Sequence, residues 1–156
     1  MHRLFLLLAL LLFSSSSFSI QTLRGSPSDA RSLAERAAEH ISGFEGGIDT
    51  ALSALSAPNT QFVDRDLYVY VIDRRGKLIA NGANSKLVGK NMLRLRDLDG
   101  QLFVRNALTT AFREQAGWTP GYRFIDPLTG RTVTQQSYVV LVDGMVVGVS
   151  VARPPS

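Results

Sequence analysis

The stretch DLYVYVIDRRGKLIANGANSKLVGKNMLRLRDLDG, residues 66–100, decides how the rest of the chain is read. It opens with LYVYVI, apolar or aromatic on both alternating faces, the pattern of a strand covered on both sides. Asp73-Arg74-Arg75-Gly76 turns the chain, and residues 77–81 run back as a hairpin partner. Regular patterning then gives way to a loop punctuated by Gly and Asn, residues 81–91, and to a second turn at Asp97-Leu98-Asp99-Gly100. A hairpin followed by such a loop predicts a pocket wall and its cover.

Upstream, Leu33, Ala37, Ala38, Ile41 and Phe44 recur at three- and four-residue spacing, one face of a helix that Ser28 or Asp29 is expected to cap. Gly43, Gly46 and Gly47 interrupt it, and Ile48, Leu52 and Leu55 resume the spacing until Pro58. The N-terminal third is therefore two helices, or one kinked at the glycines. Downstream, Leu102, Phe103, Ala107, Leu108, Ala111 and Phe112 mark an amphipathic helix to about Glu114, stopped by Gly117. Three strand-like segments follow at 118–125, 131–142 and 145–152, the last two joined by Asp143-Gly144, a strong two-residue hairpin signal. The order predicts an α+β fold with a five-stranded antiparallel sheet.

The first residues read differently. A basic start, an apolar run at 4–13 and small residues at 14–19 have the layout of a secretory signal, with a cut near Ile20. The apolar run is about half the ~20 residues that a membrane-spanning helix needs. The expected organisation is a signal peptide at 1–19, a disordered leader at 20–27 and one domain at 28–153, placed in the periplasm or secreted. The 156 residues contain no cysteine, which removes disulfides, thiolate metal sites and Cys nucleophiles. Basic residues are scattered among acids under a net charge of +4, so no nucleic-acid footprint emerges.

Candidate chemistry centres on aromatic and amide side chains. Tyr68 and Tyr70 share one strand face, and Tyr70, deeper in the run, is the better ligand contact. Asn81 and Asn84 follow the second strand, where their amides can line a pocket or serve as turn residues. Trp118, Tyr122 and Tyr138 on the later strands offer aromatic walls, and Arg94, Arg113 and Arg123 offer positive charge. Lys90 after Gly89 lacks the rest of a phosphate loop. Asp97 and Asp99 lack the remaining ligands of a calcium loop, and Asp99 is read as a helix cap. His40 sits among Glu and Arg and is read as solvated, leaving no base for a serine nucleophile. Neither metal nor cofactor is expected.

Residues 61–64 (QFVD), DLYVYVID, Gly76, Ala80-Asn81-Gly82, Asn84, Leu87-Val88-Gly89-Lys90-Asn91, residues 97–104 (DLDGQLFV), Gly117-Trp118, Asp126-Pro127, Ser137-Tyr138-Val139 and Val142-Asp143-Gly144 together resemble a single Cache domain of the second subfamily. The resemblance implies a PAS-like fold, with helices on one face of a five-stranded antiparallel sheet and a small-ligand pocket on the other. It implies an extracytoplasmic sensor of small organic ligands, often short carboxylates, and here the stand-alone exported form. A membrane receptor or histidine kinase is the implied partner, and the N-terminal helices are a candidate homodimer surface. Two departures stand out: Asn81 occupies a position that is commonly histidine, and Gln135 one that is often lysine. Gln135 joins the candidate ligand contacts, but neither amide supplies a charge to an acid.

The sequence thus predicts a non-enzymatic domain that binds a small polar organic ligand. One rival is a partner-binding or dimerising module without a ligand. Another is a small enzyme on a cone-shaped fold like that of ketosteroid isomerase, which would need Asp73 or Asp126 buried in a pocket.

Overall fold

The computed structural model describes residues 23–126 and 129–153; the signal expected at 1–19 lies outside them. Among the described residues, three α-helices, α1 (Pro27–Gly43), α2 (Ile48–Leu55) and α3 (Phe103–Glu114), pack on a sheet of seven strands: β1 (Val63–Asp64), β2 (Leu67–Ile72), β3 (Leu78–Asn81), β4 (Ala116–Trp118), β5 (Tyr122–Ile125), β6 (Thr132–Val142) and β7 (Met145–Ala152). All pairings are antiparallel. The order runs from β3 through β2, β7 and β6 to β4 and β5, which share one edge of β6; β1 adds two residues beside β2.

The expected five strands become seven because β1 is added and because residues 118–125 break in two. Trp118 pairs with Tyr138, and Tyr122 with Gln135. Between these pairs stand three residues on one side, Thr119, Pro120 and Gly121, against two on the other, Gln136 and Ser137. An extra residue reverses the facing of every side chain beyond it. Asp143 and Gly144 both take positive φ (48° and 75°), as the predicted β6–β7 turn requires.

Alternation divides the core into two layers. Leu67, Val69 and Val71 of β2 and Val147, Val149 and Val151 of β7 face α1, which meets them with Ala30, Leu33, Ala34, Ala37 and Ile41. Small alanines let the helix lie close to the sheet. On the opposite face, Ile72, Leu78, Val139 and Val146 pack against Val104, Ala107 and Ala111 of α3.

α1 begins two or three residues earlier than expected. Ser26, not Ser28 or Asp29, is the N-cap: its hydroxyl accepts from the Asp29 amide at 3.2 Å while the Asp29 carboxylate accepts from the Ser26 amide at 2.8 Å. Pro27 at the first helical position loses no useful donor there. Residues 24–26, inside the stretch expected to be a leader, are tied to the domain. The Gly25 amide donates to Asp66 at 2.6 Å, Arg24 pairs with Asp66 and Asp126, and Arg65 donates to both the Arg24 carbonyl and Asp29 at 2.9 Å. His40 also departs from its reading as solvated. Its ring lies between Phe44 and Phe62, with centroids 5.0 Å from each, and its buried Nε2 has no hydrogen-bond partner among the described residues.

Replacing Ser26 with Ala should lower stability by about 1 kcal/mol in urea denaturation. The Ser26 backbone amide, the Ser26 hydroxyl and Arg65 hold the Asp29 carboxyl down from its ordinary 3.8 to about 2. A depressed folded-state value stabilises the fold above the ordinary one and loses that contribution as pH falls through the folded one. The melting-temperature gap between the wild type and Asp29→Asn should therefore close between pH 3.8 and about 2.

Candidate functional site

A cavity of about 210 Å³ lies on the sheet face away from α1. β2 contributes Tyr68, Tyr70 and Ile72 to its wall, β3 contributes Leu78 and Asn81, and β5 contributes Tyr122 and Phe124. Gln135 and Ser137 of β6 and Ser150 of β7 complete the sheet side. Phe103, Val104 and Ala107 of α3 close one end, and Leu87, Met92 and Leu95 of the long loop form the roof. A broader cleft of about 440 Å³, between α2 and β3 near Asp49, Ser53 and Lys77, is more open to solvent.

The roof is fastened at both sheet edges. Along β3, the Leu78 amide donates to the Lys90 carbonyl at 2.9 Å and the Gly89 amide to the Leu78 carbonyl at 2.7 Å. Near the β2–β3 turn, the Met92 amide donates to the Gly76 carbonyl at 2.8 Å. At the far edge, Asp97 accepts from the Arg123 amide of β5 at 2.9 Å and from the Asp99 and Gln101 amides at 2.9 and 2.8 Å. Burial pushes the Asp97 carboxyl up, but these three amides outweigh it and hold the value below the ordinary one. The helix-capping role expected of Asp99 is absent: α3 has no side-chain cap, and Asp99 instead pairs with Arg123 at 2.9 Å.

The floor is a cluster of hydroxyls. Tyr122 Oη lies 2.8 Å from Ser150 Oγ and 3.2 Å from Ser137 Oγ, and the two serine oxygens are 2.8 Å apart. Phe103 stacks on Tyr122 with centroids 5.0 Å apart, holding the phenol in place. Burial raises the Tyr70 phenol well above its ordinary value; Tyr122 adds to the shift and Ser137 opposes it. Burial likewise raises Tyr68 and Tyr122, so all three phenols stay protonated at neutral pH. Tyr70 lies directly over Gly148, its register partner, where an added Cβ would overlap the phenol. Asn81 Oδ1 accepts from the Ala83 and Asn84 amides at 2.9 and 2.8 Å, starting the loop, and its Nδ2 meets no acceptor among the described residues.

Of the seven side chains expected to contact a ligand, Tyr70, Asn81, Tyr122 and Gln135 line this one cavity. Asn84 is exposed, and its side chain accepts from the Lys86 amide at 3.1 Å to start a short 3-10 turn. Trp118 and Tyr138 are turned to the α1 face. Their rings pack edge to face at 5.1 Å, Arg31 lies 5.4 Å over Tyr138, and Tyr138 donates to Glu35 at 3.4 Å. Parity is the reason: Gln135 and Tyr138 are an odd number of residues apart on β6 and cannot share a face. The same rule assigns Tyr68 and Ser137 to the cavity, and register carries Ser150 there opposite Ser137.

The model of the family described as Single Cache domain 2 matches residues 16–152. The chain belongs to that family. Solved structures of chemosensory proteins share its fold. A Cache chemosensory domain described for its carboxylic acid recognition is 20% identical, with a TM-score of 0.66, and the match covers 81% of this chain and 92% of that one. A methyl-accepting chemotaxis protein from Vibrio parahaemolyticus is 14% identical, with a TM-score of 0.63 and coverage of 80% and 86%. The periplasmic sensor domain of a chemotaxis protein is 24% identical, with a TM-score of 0.60 and coverage of 81% and 90%. No curated protein matches the sequence. Among the described residues, no helix is long and apolar enough to cross a membrane, and no cluster of His, Asp or Glu is fit to hold a metal ion.

The Gly148→Ala variant should force the Tyr70 ring into the cavity and cost about 1–3 kcal/mol through overpacking. Chemical denaturation reads the loss of stability, and near-ultraviolet circular dichroism reads the displaced tyrosine.

Proposed function

We propose that this domain is an exported sensor module that holds one small polar organic molecule between the sheet and the roof formed by residues 82–102. The cavity, with aromatic walls and a hydroxyl floor, carries the proposal. Ligand pockets combine a largely apolar lining with a few placed polar groups in this way. A cavity of about 150 Å³ holds benzene, so about eight non-hydrogen atoms fit in this one. That is the size of a short carboxylic acid, the ligand class described for one structural neighbour.

In this reading, residues 1–19 direct export and are removed, and the domain works in the periplasm or outside the cell. A membrane receptor or histidine kinase receives the signal, and the domain performs no catalysis. Asp126 is buried beside a smaller cavity, which meets the positional half of the rival enzyme's requirement. It is nevertheless paired with Arg24 and accepts from the Thr129 hydroxyl at 2.6 Å, unlike the isolated acid that such chemistry uses.

A thermal-shift and calorimetric screen of organic acids, amides, alcohols and amines should yield a one-to-one ligand. Tyr122→Phe should weaken it about tenfold, equivalent to about 1.4 kcal/mol. Should no compound bind, the domain is instead a docking or dimerising module without a ligand. Cell fractionation followed by mass analysis should find the protein in the periplasm as a chain beginning at Ile20; a chain with an intact Met1 start confined to the cytoplasm would remove the export assignment.

A further inference from the structure

The cavity's polar groups point to the charge and hydrogen-bonding sense of what it holds. Among the described residues, no acid, lysine, arginine or histidine lines it. Arg24 borders the adjoining cavity of about 110 Å³, which shares Tyr68, Phe124, Gln135 and Ser150 with this one. Its guanidinium already bridges Asp66 and Asp126, so it brings no uncompensated charge to that side.

The floor adds a directional constraint. Tyr122, Ser137 and Ser150 each have one hydroxyl hydrogen, and the three short contacts among them can use all three. What this cluster then offers the cavity is oxygen lone pairs. An ionised carboxylate only accepts hydrogen bonds, so it meets those lone pairs unfavourably and finds no cation to offset its charge. An ammonium donates well, but no carboxylate in the lining balances it. A neutral head with an O–H or N–H satisfies the floor at no charge cost. If it also carries a carbonyl, Asn81 Nδ2 and the Tyr68 hydroxyl stand on the same wall as donors.

Building on the ligand-binding reading above, we propose that the cavity selects an uncharged ligand, a primary amide or alcohol on a compact apolar body, and discriminates against the matching carboxylate and ammonium. The hydroxyl floor receives the donor, and Phe103, Tyr70 and Phe124 enclose the body.

Two matched series test this at pH 7 by calorimetry on the mature protein: butyramide, 1-butanol, butyrate and butylammonium, and benzamide, benzyl alcohol, benzoate and benzylammonium. The amide or alcohol of at least one series should bind at least tenfold more tightly than both ions on the same body. Ser150→Ala, which removes a floor acceptor and retains a small side chain, should weaken the amide about tenfold. Gln135→Lys should raise carboxylate affinity at least tenfold. Tighter binding of either ion than of the neutral members overturns the inference and leaves the ligand-binding reading standing. Binding of neutral members that neither variant alters places the ligand elsewhere and also overturns it. Absence of binding by every compound in both series overturns the ligand-binding reading and this inference with it.

Discussion

The Tyr70 phenol lies across Gly148, the residue directly opposite it in the β2–β7 ladder, and the space beside it exists on that condition. β7 reads MVVGVSVA, apolar except where Gly148 and Ser150 face the cavity side. A methyl at 148 would lift the ring off the sheet and into the void. Tyr70 held flat leaves room for Tyr122, which Phe103 fixes from α3, and so leaves the three hydroxyls in contact. The cavity is thus a product of one missing Cβ in a close-packed interior, where small changes of volume are felt at once.

Much of the fold was legible from periodicity. LYVYVI announced a strand buried on both faces, and β2 does lie between two layers of core. Asp143-Gly144 announced its turn, and the glycines after Ile41 marked the break between α1 and α2. The start of α1 was misread because Ser28 and Asp29 are good caps in isolation. Only the structure shows Asp29 reaching back to Ser26, with Arg65 and Asp66 holding the preceding residues.

The site was legible in half. Tyr70 and Gln135 stood out by type and position, but residue type alone cannot give the facing of a side chain. Trp118 and Tyr122 are four apart, and in an unbroken strand they would share a face. The additional residue at Thr119-Pro120-Gly121 separates them, sending Trp118 to α1 and Tyr122 to the cavity. Ser137 entered only as part of the family resemblance and Ser150 not at all, because single serines in apolar strands do not announce a shared site; their meaning comes from a register that brings them within 2.8 Å.

The double fastening of the roof, along β3 and through Asp97 to β5, has a kinetic consequence. For the proposed ligand, release of either tie would widen the way both in and out. Such local openings have free energies of their own, separable from global unfolding. Loosening the Asp97 tie would then speed arrival and departure alike and leave the equilibrium occupancy nearly unchanged. If the proposed ligand binds there, this carboxylate would set its residence time, and with it the memory of a past exposure, whereas the floor beneath would set the choice of ligand.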